Sequence, residues 1–458
     1  MKTVINSLLI LFFSLIRLSG FSQLKPVYLF QKDDPLLKNS LFLEAQQTQN
    51  TLISSIGTEY KKDYTEIYES RFKQVSNLLH SSSTVTSPEA VEYLQALLKK
   101  IIDANNELKQ LHLRVVFTRD AAPNAYSIGE GTIVINAGLM IYLENEAQLI
   151  FVLCHELSHY YSDHSNKMIK RNVELVNSEA YKNELKRISK QKYHAGQQLD
   201  TLYKDLVFSG RHHSRTNETE ADRQAFQFMK HTGYNCNGIS TCLQILDKVD
   251  DSLLLKPLNL ETVFNFSSYP FKKKWIQNES AIFGQMSKDN SPLSQREKDS
   301  LKTHPDCEKR ILQLKDSIQT SAAGSDFLVN ELLFNQLKKD FYIEMIEQQY
   351  RDENLTRNLY YTLQLLQNGE QLPFAIYSVA RALNKIWQAQ KDHEIGTMIE
   401  RERREYPADY NLLLRMVDRM RLDEIAQLNL AFCSYYQQQM EEYEGFAAER
   451  ITAQQHIQ

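Results

Sequence analysis

The chain has little of what disulfide-built, membrane-spanning or nucleic-acid-binding proteins need. Its 458 residues include only 5 cysteines, too few for a disulfide scaffold, although in an oxidising compartment Cys236 can pair with Cys242 or Cys307. Beyond the N-terminus, no stretch approaches the roughly 20 apolar residues that span a bilayer. The 57 acidic residues nearly balance 53 basic ones, so nothing draws the whole chain to nucleic acid. These absences leave a folded chain whose length predicts two or three domains.

The N-terminus carries the longest apolar run. A basic start is followed by about ten apolar residues ending before Arg17, and Gly20 and Ser22 supply the small residues of a cleavage site before Gln23. This layout predicts a secretory signal peptide at 1–22. A retained anchor is the alternative, for which the run is short. Losing the two basic residues of this segment and no acid would change the formal net charge from −4 to −6. We therefore expect an exported protein without a transmembrane helix in its mature chain.

Residue patterns in the first part of the chain predict helices followed by a small sheet. Residues 24–110 have apolar side chains at helical spacing. β-branched and aromatic residues predict one strand at 113–117 and a second, interrupted by a glycine turn, within 125–136. A helix capped at Asn145 follows.

Three later segments have less definite patterns. The polar helical stretch 164–212 favours a solvated pair of helices, with a docking surface for an acidic partner or a membrane as the alternative. A helix is predicted over 214–231, with Gly233 near its end. Residues 251–300 are irregular and rich in aromatics, which fits either a lid over a cleft or a loop anchored by its aromatic side chains.

From about residue 325 the pattern is almost entirely helical. Pro373 and Pro407 lie 34 residues apart, the period of tetratricopeptide hairpins, although the Trp/Leu/Gly pattern of that repeat is absent. A plain helical bundle and a degenerate repeat array both fit. The expected fold class is mainly α, with an α+β domain containing a small sheet over 23–320 and an all-helical domain over 325–458.

The helix that begins near Asn145 contains the motif His155-Glu156-Leu157-Ser158-His159. Residues four apart lie on one helix face, so both imidazoles can bind one ion, which this pattern predicts to be zinc. Glu156 occupies the next position, where its carboxylate can take a proton from a water acidified by the ion. Ionisable residues on the buried side of an apolar helix would be unfavourable unless they bind something.

Two histidines leave a zinc site short of a third protein ligand. The metzincin pattern needs Gly at 162 and His at 165, but the chain has Ser162 and Ser165, which excludes that class. Downstream, Glu218 and Asp222 share a helix face with two alanines, whose small side chains permit close approach. Glu218 can complete a His/His/Glu site with one open position, and Asp222 can bond the outer nitrogen of a ligand histidine.

Further motifs follow and precede this helix in a characteristic order. They are the segment from Asn124-Ala125-Tyr126 to Gly138-Leu139, then Ser214-Arg215-x-x-Glu218-x-x-Ala221-Asp222, then Thr303-His304-Pro305 with Arg310-Ile311. Together with the HExxH helix, they resemble the HtpX and CAAX-prenyl-protease family of gluzincins, metallopeptidase family forty-eight. The resemblance covers about residues 85–315.

The resemblance implies roles for individual residues. The family's third zinc ligand falls on Glu218, and the carboxylate that supports a ligand falls on Asp222. The histidine of the HP motif falls on His304, which would stabilise the reaction oxyanion or occupy the open zinc position. One zinc ion per subunit and a zincin-like catalytic domain are implied. The strand containing Asn124-Ala125-Tyr126 would bind an extended polypeptide substrate by β-augmentation.

With its export signal and helical C-terminal region, the chain is similar to the BepA-type members of the family. They imply a periplasmic metalloendopeptidase of misfolded or unassembled envelope proteins, associated with the outer membrane. The C-terminal helices would contact outer-membrane assembly machinery. The alternative is a periplasmic chaperone or assembly factor for outer-membrane proteins, with proteolysis secondary. A non-peptidase zinc hydrolase is a third hypothesis, which no sequence feature favours.

The chain departs from the family pattern at two positions. Cys154 stands where a very small residue often precedes the first histidine, and we expect it to be a packing residue. Glu130 replaces a glycine of the turn in the edge strand. Three other histidines, His164, His212 and His213, are interpreted as bystanders, because lone histidines near helix ends seldom bind a metal.

Overall fold

The computed structural model describes residues 24–189, 215–250, 256–277, 306–321 and 323–458. Up to residue 321 its helices and strands are, in chain order, α1 (Pro35–Ser54), α2 (Lys61–His80), β1 (Thr84–Val85), α3 (Pro88–Ala104), β2 (Arg114–Thr118), β3 (Ala125–Ser127), β4 (Thr132–Asn136), α4 (Ala137–Met140), α5 (Glu146–Tyr161), α6 (His164–Asn177), α7 (Glu179–Ser189), α8 (215–229), α9 (Asn237–Asp250), α10 (Leu260–Val263) and α11 (Cys307–Thr320). The C-terminal part adds α12 (Glu331–Arg351), α13 (Leu355–Asn368), α14 (Leu372–Lys391), α15 (Ile395–Met398), α16 (Ala408–Arg419), α17 (Leu422–Tyr436) and α18 (Phe446–Gln455). The predicted fold class, mainly α with a small sheet and a helical C-terminal region, is confirmed.

The four strands form one mixed sheet in the order β1-β2-β4-β3. β2 and β4 are parallel, and the two edge strands run antiparallel to their neighbours. β4 is buried along its whole length, as its apolar sequence TIVIN requires. The strands predicted at 113–117 and within 125–136 are confirmed. The interpretation of 24–110 as wholly helical missed β1, because a strand of two residues is too short to show a period of its own.

The turn between β3 and β4 explains the glutamate that replaces a family glycine. Gly129 and Gly131 have φ of +88° and +97°, values that favour glycine, and a Cβ on Gly131 would lie 2.2 Å from the His112 carbonyl oxygen. Between them Glu130 is buried and pairs with the buried Arg114 at the start of β2. The ion pair therefore compensates the charge that Glu130 brings into the turn.

The helix α5, which contains the HExxH motif, begins as the sequence predicted. The Asn145 side chain accepts a hydrogen bond of 3.0 Å from the Gln148 backbone N–H. One residue later, the buried Glu146 carboxylate accepts hydrogen bonds from the Tyr93 and Tyr234 hydroxyls, at 3.0 and 2.8 Å. It also accepts three from backbone N–H groups of residues 328–330, just before α12. One carboxylate thus joins the start of α5 to the start of α12.

One apolar core extends from the sheet into the C-terminal helices. Phe117 of β2 packs edge-on against Phe341 of α12, with ring centroids 4.7 Å apart. Beside them the buried Arg119 Nε lies 2.5 Å from Glu344 Oε2 of the same helix. The division at 320–325 stays a prediction about domain organisation, and the hydrophobic contacts are continuous across it.

Among the C-terminal helices, α13 and α14 pack as a pair, α14 also contacts α17 and α18, and α16 contacts α13. Pro373 lies in the first turn of α14, the second helix of its pair. Pro407 is the N-cap of α16, so the two prolines differ in their position relative to the helix start. Both the helical bundle and the degenerate repeat array stay predictions.

The described part of the aromatic segment, 256–277, is anchored rather than lid-like. Phe264, Phe266 and Trp275 are buried, and the first two pack against Phe432 of α17. The remainder of the segment, 278–300, lies outside the described residues. So do the predicted signal peptide, the last part of the polar stretch 164–212, and His212 and His213.

Two expectations about cysteines have different outcomes. Cys154 is fully buried, as expected of a packing residue, and burial raises the pKa of its thiol. Cys236 and Cys242 are both thiols, so neither of the considered disulfide pairings is formed.

In the described residues, no helix is both long and apolar enough to cross a membrane.

Candidate metal centre

Two histidine rings of α5 face each other. His155 and His159 are one helical turn apart, and their Nε2 atoms lie 3.2 Å from one another. This face of α5 lies beside β3 and under α8, where the rings are largely shielded from solvent. The spacing in HExxH thus brings two nitrogen ligands to one point.

A carboxylate from α8 completes the cluster. Glu218 Oε2 lies 3.4 Å from His155 Nε2, and Glu218 Oε1 lies 3.4 Å from His159 Nε2. One ligand atom from each of the three residues can be chosen so that all lie within 4.8 Å of one another. A tetrahedral zinc ion with bonds of about 2.0–2.1 Å separates its ligand atoms by about 3.3–3.4 Å. The three side chains therefore fit such an ion.

Asp222 and Arg310 contact His155 and Glu218 on the sides that face away from the cluster. Asp222 Oδ1 lies 3.0 Å from His155 Nδ1, the nitrogen that faces away from the cluster. Arg310 of α11 donates two hydrogen bonds of 2.7 Å to the Asp222 carboxylate, from Nε and Nη2. Its Nη1 lies 3.5 Å from Glu218 Oε2. A carboxylate only accepts hydrogen bonds, so Asp222 makes His155 Nδ1 the donor and leaves a lone pair on Nε2 in a neutral ring.

His164 fulfils the corresponding role for His159. Its Nδ1 lies 2.9 Å from His159 Nδ1, and its Nε2 lies 3.4 Å from Glu220 Oε2. In the tautomer with the proton of His164 on Nε2, toward Glu220, the His164 Nδ1 accepts a hydrogen bond from His159 Nδ1. His159 Nε2 then also bears a lone pair. When both rings are neutral, two nitrogen lone pairs and a carboxylate converge on one point, an arrangement that a cation, either a metal ion or a proton, stabilises.

The charges around the cluster favour the same conclusion. Three carboxylates, on Glu156, Glu218 and Asp222, surround the two imidazoles, and among the described residues the guanidinium of Arg310 pairs with the last two. Burial alone would lower the pKa of His155, but its contacts with Asp222 and Glu218 raise it to about 10. Burial opposes ionisation of Glu218 as well, yet the two histidines hold its pKa below the usual value. The site therefore stabilises positive charge at its centre.

Glu156 lies on the side of α5 that is next to β3. Burial raises the pKa of its carboxyl, while His155 and His159 oppose the rise, and the backbone N–H of Ser127 also stabilises the carboxylate. Ser127 ends β3, so this contact fixes the carboxylate beside the edge strand. A carboxylate with a raised pKa next to a cation site can both accept and return a proton.

The free side of β3 is open for pairing. The Asn124 carbonyl accepts from Asn136 N–H and Ile128 N–H donates to the Thr132 carbonyl, at 3.0 and 2.9 Å. In an antiparallel ladder these bonds turn the backbone groups of the alternate residue, Ala125, away from β4. Tyr126 is 38% exposed on the same strand. The predicted substrate strand is thus an edge strand.

The outcome differs among the residues considered from sequence. The structure brings His155, Glu156, His159, Glu218 and Asp222 together. His304 lies outside the described residues. His164, interpreted as a bystander that binds no metal, lies outside the cluster of ligand atoms, but its ring contacts His159. Arg310 had appeared only as a motif residue, without a role.

Comparison with known proteins agrees with this geometry. The beta-barrel assembly-enhancing protease of Escherichia coli O157:H7 is 25% identical over 177 residues, which cover 38% of this chain and 36% of that protein. The match therefore spans little more than a third of the relative's length. The sequence pattern of peptidase family M48 matches residues 88–318, just over half of the chain and nearly the range expected from the motifs. The resemblance is confirmed, and the chain belongs to peptidase family M48, a family of metallopeptidases.

Proposed function

We propose that the chain is a zinc-dependent endopeptidase with His155, His159 and Glu218 as its metal ligands. One observation carries the proposal: three ligand atoms converge at distances of 3.2–3.4 Å, and both outer histidine nitrogens are occupied. One zinc ion per subunit satisfies these donors. When bound, zinc polarises the scissile carbonyl and lowers the pKa of the attacking water.

The side chains around this point divide the remaining tasks. Glu156 Oε accepts a proton from the attacking water and later returns it to the leaving amine nitrogen. Asp222 and His164 hold the ligand histidines in one tautomer, and Arg310 holds the carboxylates of Asp222 and Glu218. The ligands therefore need little reorganisation when a substrate enters.

Substrate binding is proposed at the edge of the sheet, at Asn124-Ala125-Tyr126. An extended polypeptide pairs with the outward backbone groups of Ala125 as an added strand. Because Ser127 contacts Glu156, this strand would pass close to the proton acceptor. Recognition through the backbone suits unfolded or unassembled polypeptides, whose strands are free to pair.

His304 is proposed to stabilise the oxyanion or to occupy the open zinc position at rest. The support is the motif Thr303-His304-Pro305, which is similar to that of the family. If His304 stabilises the oxyanion, His304→Ala lowers kcat. If it blocks the zinc, the same change raises the rate, and an unchanged rate would exclude both roles.

The test is casein degradation by the purified protein, with zinc content measured in the same samples. We expect the wild type to hold about one zinc and to cleave, and Glu156→Gln to hold zinc without cleaving. Glu144→Gln, which removes an exposed carboxylate near the same helix, is the control and should cleave normally. If wild type and Glu156→Gln both hold zinc and neither cleaves, the peptidase proposal fails; if neither holds zinc, Glu218 is not the third ligand.

In the cell, we place this activity in the periplasm, at or near the outer membrane, on misfolded or unassembled envelope proteins. The support is the predicted signal peptide and the relative described as a beta-barrel assembly-enhancing protease. The C-terminal helices would contact the assembly machinery. The second candidate, a chaperone or assembly factor, has the same support, and a Glu156→Gln strain that keeps full function in cells would favour it.

A further inference from the structure

A buried arginine near the edge strand lacks an anionic partner. Arg71 of α2 is only 7% exposed, yet its Nε and Nη2 have no hydrogen-bond acceptor. Its Nη1 donates to Asn166 Oδ1 at 3.0 Å and to the Gly129 carbonyl at 3.3 Å. Among the described residues, no carboxylate forms an ion pair with it. Burial lowers the pKa of Arg71, as expected where no anion touches the guanidinium.

The same guanidinium lines a cavity of about 850 Å³ that follows the edge strand. One wall is α2, the opposite wall is α6, and Tyr126, Ser127 and Ile128 form the side nearest the sheet. Apolar side chains such as Ile67 and Ile169 face the interior. A polypeptide added to β3 would therefore extend its side chains along or into this cavity.

One wall of the cavity lies outside the part of the chain that the family pattern matches. Its α2 wall precedes residues 88–318, where the family pattern matches. Charge is also uneven along it, because Asp63 and Glu66 line the end nearer the start of α2. Arg71 is five residues beyond Glu66, about 7.5 Å along the helix axis. Among the described residues that line the cavity, Arg71 is the one with a positive charge.

We propose that this cavity binds a carboxylate of the extended polypeptide substrate, with Arg71 as its charged partner. The planar guanidinium has two unused donor groups, and a carboxylate can accept from both in a fork. The shielded site strengthens that contact relative to water. This inference rests on the proposed function and adds a preference for an acidic side chain or for the free C-terminus of the substrate.

A purely structural role for Arg71 makes a different prediction. If it only ties α2 to the turn at Gly129 and to Asn166, its removal would weaken every peptide equally or lower the melting temperature. If it binds a carboxylate, its removal would act on acidic ligands alone. The ratio of affinities for matched peptides therefore separates the two roles.

The experiment measures binding of fluorescent peptides by anisotropy to full-length, zinc-loaded Glu156→Gln protein, so that cleavage does not interfere. Three peptide sets are matched: amidated peptides with Glu scanned through each position, their Gln counterparts, and the Gln peptides with a free C-terminus. We expect one acidic set to bind about tenfold more tightly than the neutral set, the range of a shielded charge-assisted hydrogen bond. The set that binds more tightly than the neutral set shows whether the carboxylate belongs to a side chain or to the C-terminus.

Four further changes in that background complete the test. Arg71→Gln should bring the ratio to about one, and Arg71→Lys should keep part of it. Ile169→Glu should also bring the ratio to about one, because it places a competing carboxylate in the cavity. Since this variant retains Arg71, it tests the inference even if Arg71→Gln does not fold. Lys73→Gln, which removes an exposed charge from the same helix, should leave the ratio unchanged.

The possible failures are distinguishable. A ratio of one in the parent protein, a ratio that survives Arg71→Gln or Ile169→Glu in folded protein, or binding of no peptide would overturn the inference. Casein cleavage by the wild type without an acidic preference would leave the proposed function standing. An acidic preference that depends on Arg71, in a protein that never cleaves casein, would support carboxylate binding and contradict the proposed peptidase function.

Discussion

The tautomer of His159 depends on a side chain five residues away that is not itself a ligand. His164 Nδ1 lies 2.9 Å from His159 Nδ1, and Glu220 Oε2 lies 3.4 Å from His164 Nε2 on the other side of the ring. Without His164, water would replace a fixed acceptor, and the ring of His159 could rotate or change tautomer. Side chains that orient ligands in this way typically change metal affinity 10–100-fold.

His164→Phe is therefore expected to weaken zinc binding about 10–100-fold, because it removes the acceptor while keeping an aromatic ring in a buried place. Zinc affinity would be measured by competition with a chromogenic chelator. His231→Phe, an exposed histidine at the end of α8, is the matched control and should bind zinc as the wild type does. Equal affinity in His164→Phe and wild type would show that His159 needs no partner.

Sequence reasoning at this scale succeeded where the helix itself determines the geometry. His155 and His159 are four residues apart, so one helix brings them together and the spacing alone predicts it. Arg310 meets Asp222 only because α11 packs near α8, and no spacing reveals that contact. His164 follows a residue with φ of +54°, Asp163, where the chain bends back toward α5. That bend makes a histidine beyond the helix end a neighbour of the metal ligands.

At the scale of elements, Glu146 links the active-site helix to the C-terminal helices. Its carboxylate accepts hydrogen bonds from two tyrosine hydroxyls and three backbone N–H groups. The sequence predicted the cap of α5 at Asn145, and Glu146 read as an ordinary acid of the first helical turn. Its partners come from three distant parts of the chain, so its role depended on packing that the sequence did not reveal.

Glu146→Gln is expected to lower the free energy of unfolding by about 2–4 kcal/mol, because an amide NH₂ would face donors where the carboxylate accepts. Urea unfolding at neutral pH measures the change. Glu144→Gln, two residues away and exposed, should differ from wild type by less than about 0.5 kcal/mol. A loss as small for Glu146→Gln as for the control would mean that water accepts hydrogen bonds from the buried donors.

The same carboxylate should make stability depend on acid. Burial alone would raise the pKa of Glu146, but the backbone N–H groups of Asn330, Val329 and Leu328 outweigh it and bring the pKa below the usual 4.5. A lowered folded-state pKa stabilises the protein above pH 4.5 and loses that contribution as the pH falls toward the folded-state value. The gap in unfolding free energy between wild type and Glu146→Gln should therefore narrow below about pH 4.5. A gap independent of pH would contradict this assignment.

For the whole molecule, the helical C-terminal part completes the core of the metallopeptidase part. Phe117 of the sheet packs on Phe341 of α12, and Arg119 pairs with Glu344 one turn further along. Periodicity predicted the helical character of the C-terminal part and a boundary at about 325. It could not show this contact, since apolar residues at helical spacing do not specify which surface covers them.

A substitution on the C-terminal side of this contact should consequently destabilise both parts. Phe341→Ala removes a buried ring that packs on the sheet, and the loss is expected to be about 3–5 kcal/mol. Leu332→Ala on the same helix, where the side chain is 84% exposed, should change stability by less than about 0.5 kcal/mol.

Two probes can follow the unfolding of Phe341→Ala in urea. Fluorescence of Trp275 and Trp387 reports on the aromatic segment and α14, and hydrogen exchange of α5 peptides reports on the metal centre. Because one core joins these regions, both midpoints should fall together and by the same amount. If α5 stays protected at urea concentrations where the tryptophans are exposed, the two parts unfold separately. The predicted boundary near 325 would then divide units that are independently stable.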